Sequence, residues 1–139
     1  MQPQHNTPVW GPRSLSFWLV LFVALGIIFV GIRFILDPIP ASRDFGILLP
    51  EGRALFYGKI KGIRDIFSGL LFLPLLWMRM RKATAWVFTT AVIIPCTDCL
   101  IVIAANGGGD WQHWLIHGGT AFYMALTGIL LFKLPKVKI

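Results

Sequence analysis

Apolar residues fall into four long blocks separated by short stretches that carry the charges, glycines and prolines. Read by period and length, the blocks predict helices over 14–36, 56–78, 84–105 and 110–132. Asp37-Pro38-Ile39-Pro40 ends the first, because a proline pushes the residue before it out of helical geometry. Residues 37–55 read as a loop, with turn signals at Phe45-Gly46 and Pro50-Glu51-Gly52. Arg79, Arg81 and Lys82 form a basic turn, and Asn106-Gly107-Gly108-Gly109 forms another, after which Asp110 suits an N-cap. Residues 1–13 read as a mobile polar tail and 133–139 as a basic C-terminal tail. The domain proper is 14–132, without internal repeats.

Composition decides where such helices live. The 139 residues are 56% hydrophobic with a mean hydropathy of +0.72. Only 14% are charged, against about 25% in soluble domains. This excludes a disordered chain and a nucleic-acid-binding arm and argues against a water-soluble domain. The predicted fold class is all-α, an integral membrane four-helix bundle. The first apolar run, 15–32, is longer than a signal-peptide core and has no convincing cleavage site after it, so it reads as a retained anchor.

The second helix is the least apolar. Its uncharged stretch, 66–78, rises only about 20 Å, against roughly 30 Å of hydrocarbon. It spans only if Lys61, Arg64 and Asp65 lie at or inside the membrane boundary. Tyr57 and Trp77, about 30 Å apart by helical rise, suit the two aromatic belts and favour spanning over a shallow dip.

The net charge of +7 then bears on topology. Four spans gather Arg13, Arg79, Arg81, Lys82, Lys133, Lys136 and Lys138 on one side with no acidic residue. Asp37, Asp44, Glu51 and Asp110 fall on the other. The positive-inside rule therefore predicts both termini in the cytosol. The expected location is the plasma membrane of a bacterium or the endoplasmic reticulum of a eukaryote.

Depth along the helices brings the costly residues together. With aromatic residues as boundary markers, Arg33 lies about 8 Å below the outer boundary, and Arg64 and Asp65 about 10–12 Å below it. Asp98 falls about 12 Å below it and His117 about 9 Å. Leaving Arg33, Arg64, Asp65 and Asp98 in lipid would cost on the order of 10 kcal/mol. They are expected to face one another, with Asp65 held ionised by Arg64. Lys59 and Lys61 are expected to snorkel to the interface. Gly58-x-x-x-Gly62 and Gly118-Gly119 suit close backbone approach. Ion pairs that only fix helix register are the plainer account of any one of these residues, but a set of this size points to a site.

Three motifs carry less. Cys96-Thr97-Asp98-Cys99 has redox spacing, but a quinone-linked thiol relay needs a second pair and the chain has two cysteines in all. His113-x-x-x-His117 has metal-ligand spacing, but the glutamate of the His-Glu-x-x-His motif is absent. Gly107–Gly109 lacks the Lys-Ser/Thr of a phosphate loop. No metal and no cofactor are expected.

Arg33 with Pro38, Phe45-Gly46, the run Lys61-Gly62-Ile63-Arg64-Asp65, Gly69, Pro95-x-x-Asp98 and His117 give a resemblance over about residues 15–132. By these residues the chain resembles a small four-helix membrane family, known only as a domain of unknown function and found in bacteria and fungi. The resemblance implies an integral membrane four-helix protein. It also implies a place among secondary-metabolite genes in fungi, which suits an enzyme acting on a lipophilic intermediate. It supplies no catalytic residue, and the cysteines are not part of its pattern.

Two functions fit. One is an intramembrane enzyme that cyclises or isomerises a lipophilic small molecule by acid–base chemistry. Asp98 or His117 would move the proton, Asp65 would assist as a carboxylate, and Arg33 and Arg64 would bind substrate oxygens. The other is a non-catalytic membrane component that binds a lipid, a small molecule or a partner protein. Proton or ion movement is weaker, since four short helices without half-helix repeats are few for a transporter. Expected partners are the lipid bilayer and a lipophilic small molecule, with no nucleic acid. Homo-oligomerisation is left open.

Overall fold

The computed structural model describes residues 10–133, and all regular elements among them are helical. In chain order these are α1 (Leu15–Leu36), α2 (Pro38–Phe45), α3 (Ala54–Trp77), α4 (Arg81–Thr90), α5 (Ile93–Asn106) and α6 (Trp111–Phe132). Three stretches are long and apolar enough to cross a bilayer: α1, α6, and α4 and α5 taken together over 81–106. The chain is therefore an all-helical, multi-pass membrane protein whose natural surroundings are lipid. Its outer surface agrees, since large side chains such as Phe67, Trp77, Leu100 and Phe122 point outward. Of the tails expected at 1–13 and 133–139, residues 1–9 and 134–139 lie outside the described residues. Trp10 rests on the start of α1, its indole N–H donating to Ser16 Oγ at 3.0 Å.

Two elements differ from the sequence reading. The stretch expected to be loop contains α2. Pro38 ends α1 as expected, but its fixed φ also suits the first turn of a new helix, with Asp37 as N-cap. The helix expected over 84–105 is broken at Ala91-Val92. Pro95 has no N–H to give the Ala91 carbonyl, so Ile94 N–H takes that carbonyl in a tighter turn at 3.1 Å.

α1 and α3 pack antiparallel through small residues. A Cβ on Gly31 would stand 2.5 Å from the Gly62 carbonyl oxygen, and one on Gly62 would stand 2.6 Å from that of Gly31. A Cβ on Gly69 would stand 2.4 Å from the Ala24 oxygen. Only hydrogen fits at these crossings. Gly58 instead faces Leu49 and Pro38. The expectation for Gly118-Gly119 fails: a Cβ on Gly118 meets only Cys99 Sγ, at 3.5 Å, and one on Gly119 meets nothing within 4 Å.

A tight core closes one end of the bundle. Val20, Ala24, Phe72, Leu76, Ala85, Phe88, Met124 and Leu131 pack together there, drawn from α1, α3, α4 and α6. Arg81 ties α4 to the last turn of α6, its Nε donating to the Leu131 carbonyl at 2.7 Å and its Nη2 to that of Lys133. Toward the other end the helices separate. After the break, α5 follows α6 and makes little contact with α3. α1 and α6 likewise touch over a short length.

Candidate functional site

The separation leaves a cleft of about 720 Å³, within the usual range of small-molecule sites. Its floor is the α1–α6 contact, where Tyr123 Oη donates to the Leu19 carbonyl at 3.1 Å and its ring meets Phe22. Its roof is the C-terminal end of α2. Gly46 ends that helix at φ 99°, a left-handed conformation open to glycine, and lies so close to His113 that a Cβ would stand 2.8 Å from that side chain. Two further bonds pin the roof. His117 Nε2 donates to the Phe45 carbonyl at 2.8 Å, and Asn106 Nδ2 donates to the Gly46 carbonyl at 2.5 Å.

Under this roof Arg33 (α1), Asp44 and Phe45 (α2), Lys61 (α3), Asp98 (α5) and His117 (α6) line one end of the cleft. The rest of the lining is mostly apolar. Of the residues picked out in the sequence, Arg33, Asp98 and His117 are thus brought together. Asp65 adjoins them through Lys61, whose Nζ lies 2.5 Å from Asp65 Oδ2. Arg64 does not reach the cleft. It is exposed and borders a smaller hollow between α3 and α5, which shares Lys61, Ser68, Ile94 and Asp98 with the main one.

The expected Arg64–Asp65 pairing is therefore replaced by Lys61–Asp65. Neighbouring residues on a helix point about 100° apart, whereas residues four apart share a face. The same geometry overturns the snorkelling of Lys61. Its ammonium turns inward, over the rings of Phe34 and Phe45 at 4.7 and 4.6 Å from their centroids.

Arg33 has a partner the sequence reading did not supply, Asp44 Oδ2 at 2.7 Å. The helix signal Asp37-Pro38, read only as a stop, would have placed Asp44 on a short helix folding back over Arg33. Asp98 differs from the others. None of the ion pairs or hydrogen bonds among the described residues uses its carboxylate, and Lys61, His117 and Asp65 are close enough to act on it electrostatically.

The imidazole of His117 sits against Phe45, ring centroids 4.5 Å apart. Since a carbonyl can only accept, Nε2 carries the hydrogen, and the lone pair of the neutral ring is on Nδ1. His113 is a clamp residue. Its Nδ1 lies 2.6 Å from Asp110 Oδ1, and Asn106 holds the other oxygen. Together these donors hold the Asp110 carboxyl below the usual aspartate range, His113 contributing most.

Among the described residues no three His, Cys, Asp or Glu side chains gather as a metal site requires. Cys96 and Cys99 are free thiols, and Cys99 Sγ meets the Trp114 carbonyl at 3.3 Å. Neither lines the cleft.

Residues 24–131 match a family described as a domain of unknown function, DUF4267. The chain belongs to this family. No curated protein and no solved structure matches it. The DUF4267 match takes in all six residues at the polar end of the cleft, and also Asp65 and the α1–α3 glycines.

Proposed function

We propose that this DUF4267 protein is an intramembrane enzyme that isomerises or cyclises a lipophilic molecule by moving a proton. The observation that carries the reading is Asp98: a carboxylate without a bonding partner among the described residues, facing a ligand-sized apolar cleft beside Lys61 and His117. A residue kept only for helix register would be paired. Asp98 or His117 Nδ1 takes a proton from a carbon next to a carbonyl. The electron pair passes to the oxygen, where Lys61 and Arg33 supply donors. The other of these two groups, protonated from solvent, gives a proton to a second carbon, and the proton taken passes back to solvent, so nothing is consumed. Asp65 keeps Lys61 in place.

The same reading takes the bundle as four spans with both termini cytosolic. The register of Gly31 on Gly62 and of Ala24 on Gly69 supports it, for α3 then runs beside α1 along its whole length. At about 36 Å by helical rise, its 24 residues reach as far through the bilayer as α1 does. The clustered basic residues of the 78–82 turn and the C-terminal end favour that side as cytosolic. The compartment would be the plasma membrane or the endoplasmic reticulum.

The test uses proteoliposomes and the neutral lipid extract of cells that make the protein. The wild type changes the isomer ratio of at least one extract component, and Asp98→Asn, inserted to the same level, does not. Equal conversion by the two removes Asp98 from the mechanism, and no conversion by the wild type leaves binding without catalysis as the function.

A further inference from the structure

The charges around the cleft narrow what can enter it, given the reading of the cleft as a substrate site. Arg33 and Lys61 already hold carboxylates, at 2.7 and 2.5 Å, and Asp98 adds a third acid. An anionic head group would displace Asp44 or Asp65 from its cation and then face the remaining acids. A cationic one could pair with Asp98 but would lie against the guanidinium and the ammonium at the same end. An uncharged hydroxyl or carbonyl oxygen meets neither penalty. It can take a hydrogen from Lys61 or Arg33, or give one to Asp98 or His117 Nδ1, without breaking an ion pair.

The cleft also has an entrance. α1 and α6 close at Tyr123–Leu19 below and at the α2 roof above. Between these levels both helices line the cleft with a glycine whose missing side chain nothing replaces: Gly26 and Gly119 each have open space where a Cβ would stand. Unlike Gly31, Gly62 and Gly69, these two are not explained by helix packing. From Phe22 to Arg33 the lining of α1 rises about 16 Å, close to the length of a twelve-carbon chain.

We infer that the cleft takes an uncharged amphiphile, an apolar body of about twelve carbons or its ring equivalent with a hydroxyl or ketone oxygen at one end, admitted from the lipid between α1 and α6 at Gly26 and Gly119. Phospholipids and prenyl phosphates are excluded by their charge.

Photo-crosslinking in proteoliposomes tests this. Three probes share one diazirine-bearing twelve-carbon chain and end in a methyl ketone, a phosphate or an ammonium. Peptide mapping reads the yield on residues 22–30 and 116–124. The ketone labels these segments about tenfold more than either charged probe, and Gly119→Leu, or independently Gly26→Leu, lowers its yield by a similar factor. Equal or greater labelling by the phosphate or ammonium probe overturns the assignment of substrate class. Unchanged ketone labelling in both leucine variants overturns the entrance. Crosslinking reads occupancy and not turnover. The predicted pattern together with unchanged isomerisation by Asp98→Asn would leave this inference standing and remove the acid–base mechanism.

Discussion

His117 Nε2 donates its hydrogen to the backbone carbonyl of Phe45, 2.8 Å away and 72 residues earlier in the chain. One bond thus does two things. It fastens the α2 roof to α6, and it fixes the neutral imidazole in the form whose Nδ1 can accept a proton.

These two roles separate by substitution. Glutamine can place an amide N–H near the Nε2 position but offers no base. His117→Gln is expected to keep its melting temperature and lose isomerisation. His117→Ala loses both, with destabilisation of about 1–3 kcal/mol because a sheltered carbonyl is left without its donor. Thermal unfolding in detergent, run beside the proteoliposome assay, checks both.

The glycines divide into two groups with opposite responses. Gly69→Ala sets a methyl against the Ala24 carbonyl, where rigid backbone stands on both sides, and is expected to destabilise by about 1–3 kcal/mol. Gly119→Ala meets open space and replaces a poor helix former, so it is expected to be neutral or to stabilise by up to about 1 kcal/mol. Chemical denaturation of the two variants shows whether the signs differ.

Lys61 and Asp65 are a partly buried pair, their side chains 29% and 12% exposed. Removing either partner leaves the other charge inside. Lys61→Met and Asp65→Leu are each expected to destabilise by about 2–3 kcal/mol, below the roughly 3–5 kcal/mol of fully buried pairs. The double variant is expected to recover most of the loss. A double-mutant cycle in detergent measures the coupling.

How much of this was legible in the sequence depends on the range of the interaction. The long helices follow from apolar runs and their punctuation, which act locally. The meeting of Arg33, Asp98 and His117 followed from depth alone, because lipid makes an unpaired ionisable group costly at any level. Which partner each would find was less visible. Lys61–Asp65 spacing was in plain view, but the proximity of Lys61 to the boundary favoured an outward turn. Asp44 reaches Arg33 only because Pro38 starts a helix as well as stopping one. The roof bonds from His117 and Asn106 go to backbone carbonyls, and every residue has one, so no residue type marks the acceptor.

The clamp at the roof depends on acid. His113 and Asn106 bonds hold the Asp110 carboxyl below its ordinary value, so the folded pKa is depressed relative to the unfolded one. The stability this group contributes is present above the unfolded value, about pH 4, and is lost as pH falls through the lower folded value. Hydrogen exchange at the start of α6 is expected to quicken over that window. In Asp110→Asn that acid dependence is expected to disappear.

If Asp98 in this cleft takes part in moving a proton on carbon, hydrogen from solvent enters the product. Running the proteoliposome conversion in deuterium oxide shows whether it does. The isomer formed by the wild type is expected to carry deuterium from solvent at carbon, and Asp98→Asn is expected to form neither the isomer nor the label. An isomer formed without solvent deuterium, or labelling that persists undiminished in Asp98→Asn, would overturn the role of Asp98 in proton transfer.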